Sequence, residues 1–567
     1  HQEILEEAEK YDNIRIIYKD AANDTDKQIE DINELMDYGI DLLIVSMNDS
    51  DVLTPIVGDI YSEIPVIVLD RAVDGYDYTL FIGLDNYQLG YEAGSYMASL
   101  PRVRNIVEIT GIPTSIPTSE RSLGFVEALS TQAAFVSKQI VGNWEKDIAE
   151  DSFYQVLEED AGVDAVYAHS DDMGFGAYLA ASTLGRDLFI LGFDGLLGDD
   201  RGLDLVRKGI LDATFICPTG GKEAIRYAVD ILSKESGIPK KIILRTEFVT
   251  IDNVDNIIKA ESTPAVNNTD QEIIMGYAQI GSESTWRNAN SESIIEAAKE
   301  AGIELIFKNV DNSLSDREKQ AKQIEFIEEF IMEGVDVIAF TPIIETGWDD
   351  VLLLAKEAGI PVILSDRRVD ASNDLWSTYM GSDFEEEGRR AARWLVEHTD
   401  SSEVYQIVEL VGTTGSAPAI GRHKGFKEII AGIPNYEIIY SAGANFEYED
   451  GKETMEDALK IYGDTIDVVY AHNDDMALGA IEAIEAYGLV AGVDILIISV
   501  DATKAALNMI IVEKLNCAVE CNPLLGPQIM KAVKDLMAGV ELPIEIITGE
   551  SVYTIENTEK EIKIRKY

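Results

Sequence analysis

One phrase occurs twice in this sequence, and the repetition limits the possible folds more than any other feature. VYAHNDDMALGAIEAIEAYG runs from Val469 to Gly488, and VYAHSDDMGFGAYLAASTLG runs from Val166 to Gly185. Two further pairs keep nearly the same spacing: IPVIVLDRAVD recurs 296 residues later as IPVILSDRRVD, and RSLGF recurs 301 residues later as RHKGF. This pattern indicates a tandem duplication of one domain of roughly 280 residues, and it excludes a solenoid of short repeats.

The repeat also suggests domain boundaries. We expect a first module over residues 1–257, a polar linker over 258–271 that contains one proline, and a second module over 272–567. The first copy has no counterpart of EIIMGYAQIGSESTWR, and the chain begins inside a helical pattern without an initiator Met. We therefore expect the native N-terminus, with the first strand of the first module, to be missing; a truly truncated first copy is the alternative.

Within each copy, short apolar runs alternate with amphipathic stretches. VDVIAFTP, PVILSD and DVVYAHN read as buried strands, and SDREKQAKQIEFIEEFIMEG reads as a helix between two of them. This alternation predicts an α/β fold with doubly wound parallel sheets covered by helices on both faces. In such sheets ligands bind at the carboxyl ends of the strands, where the repeated motifs SDR, HNDD and SVD are located.

The chain is strongly acidic. It has 103 Asp and Glu residues against 46 Lys and Arg residues, a formal net charge of −57. Such a surface repels nucleic acids and anionic membranes, so we expect no nucleic-acid partner and favour a neutral or cationic ligand. No run reaches eighteen consecutive apolar residues, so no membrane span is predicted. The three cysteines do not form a disulfide framework, and we expect Cys517 and Cys521 to be core residues of a strand.

Several polar residues at predicted strand ends are candidates for ligand contact. Asn473 offers amide donors and acceptors to a polyhydroxylated ligand, and Ser170 replaces it in the first copy with a shorter hydroxyl. Asp475 has two interpretations, a helix cap or a ligand contact. In SESTWR, the indole of Trp286 could cover the apolar face of a sugar ring, although a core role is the alternative.

Adjacent Asp and Arg residues end equivalent strands in the two copies. Asp366 with Arg367, and Asp70 with Arg71, could bind vicinal hydroxyls through charge-assisted hydrogen bonds, or could form ion pairs. The same polar residue types extend to further positions: Arg121, Asp194, Glu283, Arg287, Arg422 and Asp501.

Catalysis is not indicated. The neighbouring Asp474 and Asp475 cannot flank one scissile glycosidic bond. No nucleophile elbow, phosphate-binding loop, dinucleotide fingerprint or HExxH motif occurs. His472 lies in the repeated phrase, but the other histidines are scattered. We therefore expect no catalytic residues, no cofactor and no metal site.

These motifs resemble the type 1 periplasmic sugar-binding proteins, over essentially the whole chain and twice. In the second copy GYAQIGSESTWR, GSDFEEEGRRAARWL, GTTGSAPAIGRHKGF, VYAHNDDMALGAI and VECNPLLGP look like the galactofuranose-binding members that serve bacterial ABC importers. The resemblance implies two lobes in each module, joined by three crossover segments. It assigns residues 1–100 with 220–242, and 101–219 with 243–257, to the lobes of the first module, and 272–400 with 523–548, and 401–522 with 549–567, to those of the second.

The resemblance also implies two sets of ligand-binding residues. The second set is Glu283, Trp286, Arg287, Asp366, Arg367, Ser416, Arg422, Asn473, Asp501 and Asn522. The first set is Asp70, Arg71, Arg121, Ser170 and Asp194. The first copy departs from the family pattern at Ser170 and in CPTGG, which stands where the second copy has CNPLLG, so its ligand differs or its site is degenerate.

The expected function is therefore that of an extracytoplasmic solute-binding protein. It captures a monosaccharide of the galactofuranose, galactose or pentose type by hinge closure and presents it to the permease of an ABC importer. The alternative is the ligand-binding ectodomain of a transmembrane sugar sensor, a histidine kinase or a chemoreceptor. A lipid anchor on the missing N-terminus would favour transport, and a membrane span after Tyr567 would favour sensing.

Overall fold

The computed structural model describes residues 2–73, 75–235, 237–261 and 272–567. The chain forms two compact units, His1–Ala265 and Val266–Tyr567, which correspond to the two sequence copies. Each unit contains two α/β lobes, and this architecture confirms the predicted fold class.

The first module consists of ten strands and ten helices among its described residues. Its strands are β1 (Leu43–Val45), β2 (Val66–Leu69), β3 (Leu80–Gly83), β4 (Asn105–Thr110), β5 (Phe135–Val141), β6 (Ala165–Ala168), β7 (Phe189–Leu191), β8 (Ala213–Ile216), β9 (Lys241–Ile243) and β10 (Glu247–Thr250). Its helices are α1 (Gln2–Ala8), α2 (Thr25–Tyr38), α3 (Ser50–Tyr61), α4 (Asn86–Ser99), α5 (Ile116–Leu129), α6 (Lys146–Glu159), α7 (Asp171–Thr183), α8 (Gly202–Arg207), α9 (Gly221–Leu232) and α10 (Val254–Glu261).

The second module has twelve strands, ten α-helices and one short 3₁₀ helix, Gly463–Thr465. Its strands are β11 (Ile274–Gln279), β12 (Glu304–Asn309), β13 (Val337–Phe340), β14 (Val362–Ser365), β15 (Thr378–Gly381), β16 (Tyr405–Val411), β17 (Tyr436–Gly443), β18 (Val468–Ala471), β19 (Leu496–Asp501), β20 (Cys517–Glu520), β21 (Glu545–Ile547) and β22 (Val552–Tyr553). Its helices are α11 (Thr285–Ala301), α12 (Asp316–Glu333), α13 (Asp349–Glu357), α14 (Phe384–Glu397), α15 (Ala417–Ile430), α16 (Tyr448–Tyr462), α17 (Asp474–Tyr487), α18 (Lys504–Ile511), α19 (Gly526–Met537) and α20 (Thr558–Glu561).

Each lobe is built on one mostly parallel sheet. In the second module, the sheet of the first lobe has the order β21-β15-β14-β13-β11-β12. The sheet of the second lobe has the order β17-β16-β18-β19-β20-β22, in which only β22 is antiparallel to its neighbour. Central strands such as β13 and β18 are continuous buried apolar runs, because helices cover both faces of the sheet.

The first module repeats this plan with a shorter first lobe. Its first-lobe sheet has the order β1-β2-β3-β9, and its second-lobe sheet has the order β10-β8-β7-β6-β4-β5. The described segment 14–20 contains IRIIYK, which resembles IELIFK around β12, yet it forms no strand. In the second module β12 pairs with β11, and the first copy has no sequence that matches β11.

The chain passes between the lobes of the second module three times, at residues 381–383, 521–525 and 548–551. The first crossing precedes α14, because Phe384 and Leu395 of this helix pack in the second-lobe core with Ile407 and Tyr470. The lobe boundary expected near residue 400 therefore lies at 381–383 in the structure. The linker predicted over 258–271 lies mainly outside the described residues, and its first four residues belong to α10.

Candidate functional site

The predicted site residues of the second module meet at the carboxyl ends of the strands of both lobes. A cavity of about 300 Å³, counted to its open mouth, lies there. The residues that line it are Glu283, Ser284, Trp286, Arg287, Asp366, Arg367, Pro418, Arg422, Phe446, Asn473, Asp501 and Cys521. Eight of the ten predicted residues are in this group. Ser416 and Asn522 are not: Ser416 donates to the backbone oxygen of Thr413, and the side chain of Asn522 accepts the N–H of Leu524.

A buried ionic cluster forms the first-lobe wall of the cavity. The guanidinium of Arg287 donates from Nη2 to Oδ2 of Asp366 at 2.7 Å and from Nε to Oε1 of Glu283 at 3.0 Å. Burial tends to raise the pKa of Glu283, but Arg287 and Arg367 outweigh this effect and hold that pKa below its usual value. The neighbouring Arg367 has a pKa lowered to about 10 by burial and by Arg287.

Several polar atoms in this wall have no hydrogen-bond partner among the described residues. They are Oε2 of Glu283, Nη1 of Arg287 and Nε of Arg367, and all three are buried. A buried polar atom without a partner is unfavourable by roughly 1–3 kcal/mol. These atoms are two donors and one acceptor, and the hydroxyl groups of a ligand can form hydrogen bonds with all three.

The second lobe supplies the opposite wall. Arg422 donates to Glu387 at 2.7 Å and to the backbone oxygen of His472, and its Nη2 lies 3.7 Å from Oδ1 of Asp501. Burial raises the pKa of Asp501 well above its usual value, although Arg422 opposes the shift. The backbone of Asp501 has a φ of 112°, a conformation that non-glycine residues rarely adopt. This geometry places the Asp501 carboxyl group at the lobe interface.

The structure assigns the helix cap in the repeated phrase to Asn473 and not to Asp475. Oδ1 of Asn473 accepts the N–H of Met476 at 3.0 Å, and Nδ2 donates to the backbone oxygen of Phe446. Helix α17 begins at Asp474, two residues earlier than the cap interpretation of Asp475 requires. Asp475 instead accepts the backbone N–H of Thr285, on the other lobe, at 2.9 Å. Its capping interpretation is therefore wrong.

Both modules of the chain are similar to one known protein family. The model of the periplasmic binding protein domain matches residues 2–236 and 276–541. The protein belongs to the periplasmic binding protein family.

Individual relatives match about half of this periplasmic binding protein. The galactofuranose-binding protein YtfQ of Escherichia coli K12 is 37% identical over 292 residues, which are 51% of this chain and 90% of YtfQ. The fructose import binding protein FruE of Bifidobacterium longum is 32% identical over 279 residues, or 48% of this chain and 82% of FruE. A crystal structure of a galactofuranose-binding protein is 36% identical, with a TM-score of 0.50, and covers 52% of this chain and 98% of its own.

Sequence reasoning missed one prominent lining residue of this periplasmic binding protein, Phe446. The guanidinium carbon of Arg367 lies 5.4 Å from its ring centroid and that of Arg422 lies 5.9 Å away. The signal was present, because NF at Asn445 and Phe446 recurs as NW in the first copy. The pair adopts positive φ in both copies, which aims the aromatic ring into the site.

Trp286 lies in the site but does not present a free indole N–H. Its Nε1 donates to the backbone oxygen of Cys521 at 2.6 Å, across the two lobes, and Arg287 lies over its ring at 4.7 Å. The side chain is 5% exposed. Trp286 therefore connects the lobes as well as lining the cavity.

In the first module, the predicted residues cluster around an aromatic ring. The guanidinium carbons of Arg71 and Arg121 each lie 5.9 Å from the ring of Trp144, the counterpart of Phe446. Burial raises the pKa of Asp194 to about 7, while Arg121 opposes the shift. Burial likewise raises the pKa of Asp70, opposed by Arg71 and Arg121. Ser170 caps α7 through the N–H of Met173, as Asn473 caps α17.

The described residues contain one group of possible metal ligands, Glu387, Cys521 and Glu550. Glu387 accepts a hydrogen bond from Arg422 at 2.7 Å, and Glu550 accepts from Thr548 at 2.9 Å. Both carboxylates thus already have protein donors. Among the described residues, no helix combines the length and apolar character needed to cross a bilayer.

Proposed function

We propose that the second module binds a monosaccharide in its cleft, of the galactofuranose, galactose or pentose type. The observation that carries this proposal is the cavity between the lobes. Its buried wall holds donors on Arg287 and Arg367 and an acceptor on Glu283 that make no hydrogen bond with the described residues. A sugar supplies hydroxyl groups that can accept from the first two and donate to the third. The name of one relative refers to galactofuranose, which supports a furanose ring.

Ligand binding is coupled to hinge closure in this proposal. Asp366 belongs to one lobe and Asp501 to the other, so a sugar that contacts both stabilises the closed arrangement by its differential affinity. Closure then offers a distinct surface to a membrane partner. The words "import binding protein" in the names of relatives favour a permease of an ABC importer, and an extracytoplasmic location, over a sensor.

The first module is a second candidate site in the same proposal. Asp70, Arg71, Arg121, Ser170 and Asp194 match positions of the second site, but Ser170 has a hydroxyl where Asn473 has an amide, and Trp144 stands where the second site has Phe446. We therefore propose that the first cleft binds its ligand more weakly or selects another sugar.

Isothermal titration calorimetry of the whole chain tests these proposals with galactose, arabinose, ribose and fructose. Arg287→Ala removes the central donor of the second site, and Arg121→Ala removes a guanidinium group of the first site, at the position that corresponds to Arg422. If the wild-type chain binds one sugar and only Arg287→Ala abolishes that binding, the sugar is assigned to the second cleft. Thermal unfolding verifies that each variant is folded. Absence of heat with all four sugars would reject the monosaccharide proposal.

A further inference from the structure

A second cavity adjoins the sugar cavity of the second module. It has a volume of about 700 Å³, counted to its open mouth, against about 300 Å³ for the inner cavity. Both cavities are lined by Glu283 and Arg367, so those two residues form the boundary between them. We call this outer space the vestibule.

The vestibule has a polar wall from each lobe. Asp316 and Lys319 lie on the first turn of α12 in the first lobe, and Glu447 precedes α16 in the second. Burial and Asp450 raise the pKa of Glu447, Glu283 and Asp316 add to this shift, and Lys319 opposes it. These groups therefore act on one another across the opening.

Lys319 is the group that has no evident structural role. It is 7% exposed and lines the vestibule, yet its side chain makes no hydrogen bond or ion pair with any described residue. Lysine residues that are mostly buried are usually paired, so the unpaired side chain of Lys319 is unusual. Oε2 of Glu283 and Nε of Arg367, at the boundary, also have no hydrogen-bond partner among the described residues.

Among its described residues, the first module has no equivalent of the first-lobe wall, which is the first turn of α12. Gln28 and Gln323 make the same pair of backbone contacts after the neighbouring strand: Gln28 with Ser46 and Asn48, and Gln323 with Thr341 and Ile343. Lys319 and Asp24 each lie four residues before the corresponding glutamine, so they occupy equivalent positions in the two modules. Asp24 is the N-cap of α2, so α12 is longer than α2 by the turn that carries Asp316 and Lys319.

We propose that the vestibule is a subsite for a second sugar unit, so that the second module accepts a short glycoside whose terminal furanose occupies the inner cavity. This proposal rests on the function proposed above for the inner cavity. Hydroxyl groups of the second unit would accept from Lys319 and donate to Asp316 and Glu447, a mixed set that suits a neutral polyol better than an anion.

The test compares two probes on the whole chain by calorimetry. They are methyl β-D-galactofuranoside and the disaccharide β-D-galactofuranosyl-(1→6)-β-D-galactofuranoside as its methyl glycoside. We expect the disaccharide to bind at least fivefold more tightly than the monosaccharide. Lys319→Ala should remove most of that advantage and leave the monosaccharide affinity within twofold. Glu447→Gln is a second variant on the opposite wall with the same expected direction.

Lys322→Ala is the matched control, because Lys322 lies on the same helix with 38% side-chain exposure and pairs with Glu325. It should change neither affinity. Equal affinities of the two probes, or a disaccharide that does not bind while the monosaccharide does, would overturn the vestibule proposal and leave the proposed function intact. Failure of both probes, together with the four free sugars above, would overturn both proposals.

Discussion

Asp475 accepts hydrogen bonds from the backbone N–H of Thr285 at 2.9 Å and from the Thr285 hydroxyl at 3.3 Å. A residue of the second lobe of the second module therefore binds the first turn of a helix in the first lobe. Thr285 is the first residue of α11, where the backbone N–H groups and the helix dipole favour a carboxylate. The contact exists only in an arrangement in which the two lobes are close together.

We expect Asp475→Ala to weaken sugar binding to the second module by about 1–2 kcal/mol, because closure loses a charge-assisted hydrogen bond. Calorimetry measures the loss, and small-angle scattering with saturating ligand shows whether the lobes still close. Asp172→Ala is the matched control in the first module, since Asp172 is exposed. Undiminished affinity of Asp475→Ala would mean that the contact does not contribute to closure.

Asn473→Ser separates the two roles of Asn473. Ser170 shows that serine can cap this helix, so Asn473→Ser should be more stable than Asn473→Ala by about 1 kcal/mol. Both variants remove the Nδ2 donor that holds the Phe446 backbone, so both should weaken sugar binding by roughly 1–3 kcal/mol. Chemical denaturation and calorimetry give the two quantities. Equal stability losses in both variants would contradict the capping argument.

Gly412→Ala should displace Phe446 from the cleft. A Cβ atom on Gly412 would lie 1.9 Å from Cζ of Phe446, so the ring must move. We expect at least a fivefold weaker sugar affinity. Gly432→Ala, in the same lobe, meets nothing within 4 Å and is the control. An unchanged affinity for Gly412→Ala would show that the ring does not contribute to the site.

The ionised carboxylate of Glu409 should stabilise the second module at neutral pH. Burial tends to raise the pKa of Glu409, but hydrogen bonds from His472, Ser441 and His423 outweigh it and lower that pKa to about 2. A carboxyl group with a depressed pKa stabilises the fold above its unfolded pKa of about 4.5, and this contribution is lost as the pH falls toward 2. His472, whose pKa is lowered by burial, adds a loss of the same sign below about pH 6.5.

We therefore expect Glu409→Gln to lower the free energy of unfolding by on the order of 3 kcal/mol at pH 7, and by much less at pH 3. Urea denaturation at a series of pH values measures this difference, with the exposed Glu437→Gln as control. A difference between wild type and Glu409→Gln that does not change with pH would contradict the assigned pKa.

Much of the fold could be predicted because the pattern of apolar and polar residues is local and occurs in both copies. Strands such as β13 and β18 are recognisable from their apolar runs, and the repeated SDR, HNDD and SVD motifs mark their ends. The cavity residues were predicted for the same reason, since strand ends in parallel sheets converge at one edge. Ser416 and Asn522 lie at such ends too, but local backbone contacts use their side chains.

By itself, the sequence determined the duplication, the parallel α/β class and the location of the polar groups, because offsets, periodicity and strand ends are properties of neighbours along the chain. Only the tertiary structure decided which of these side chains form hydrogen bonds within the protein and which line the cavities without a hydrogen-bond partner. It assigned the cap to Asn473, the lobe contact to Asp475 and the aromatic wall to Phe446, and it left Lys319 without a partner. Those choices depend on distances between residues far apart in the chain, which no local pattern encodes.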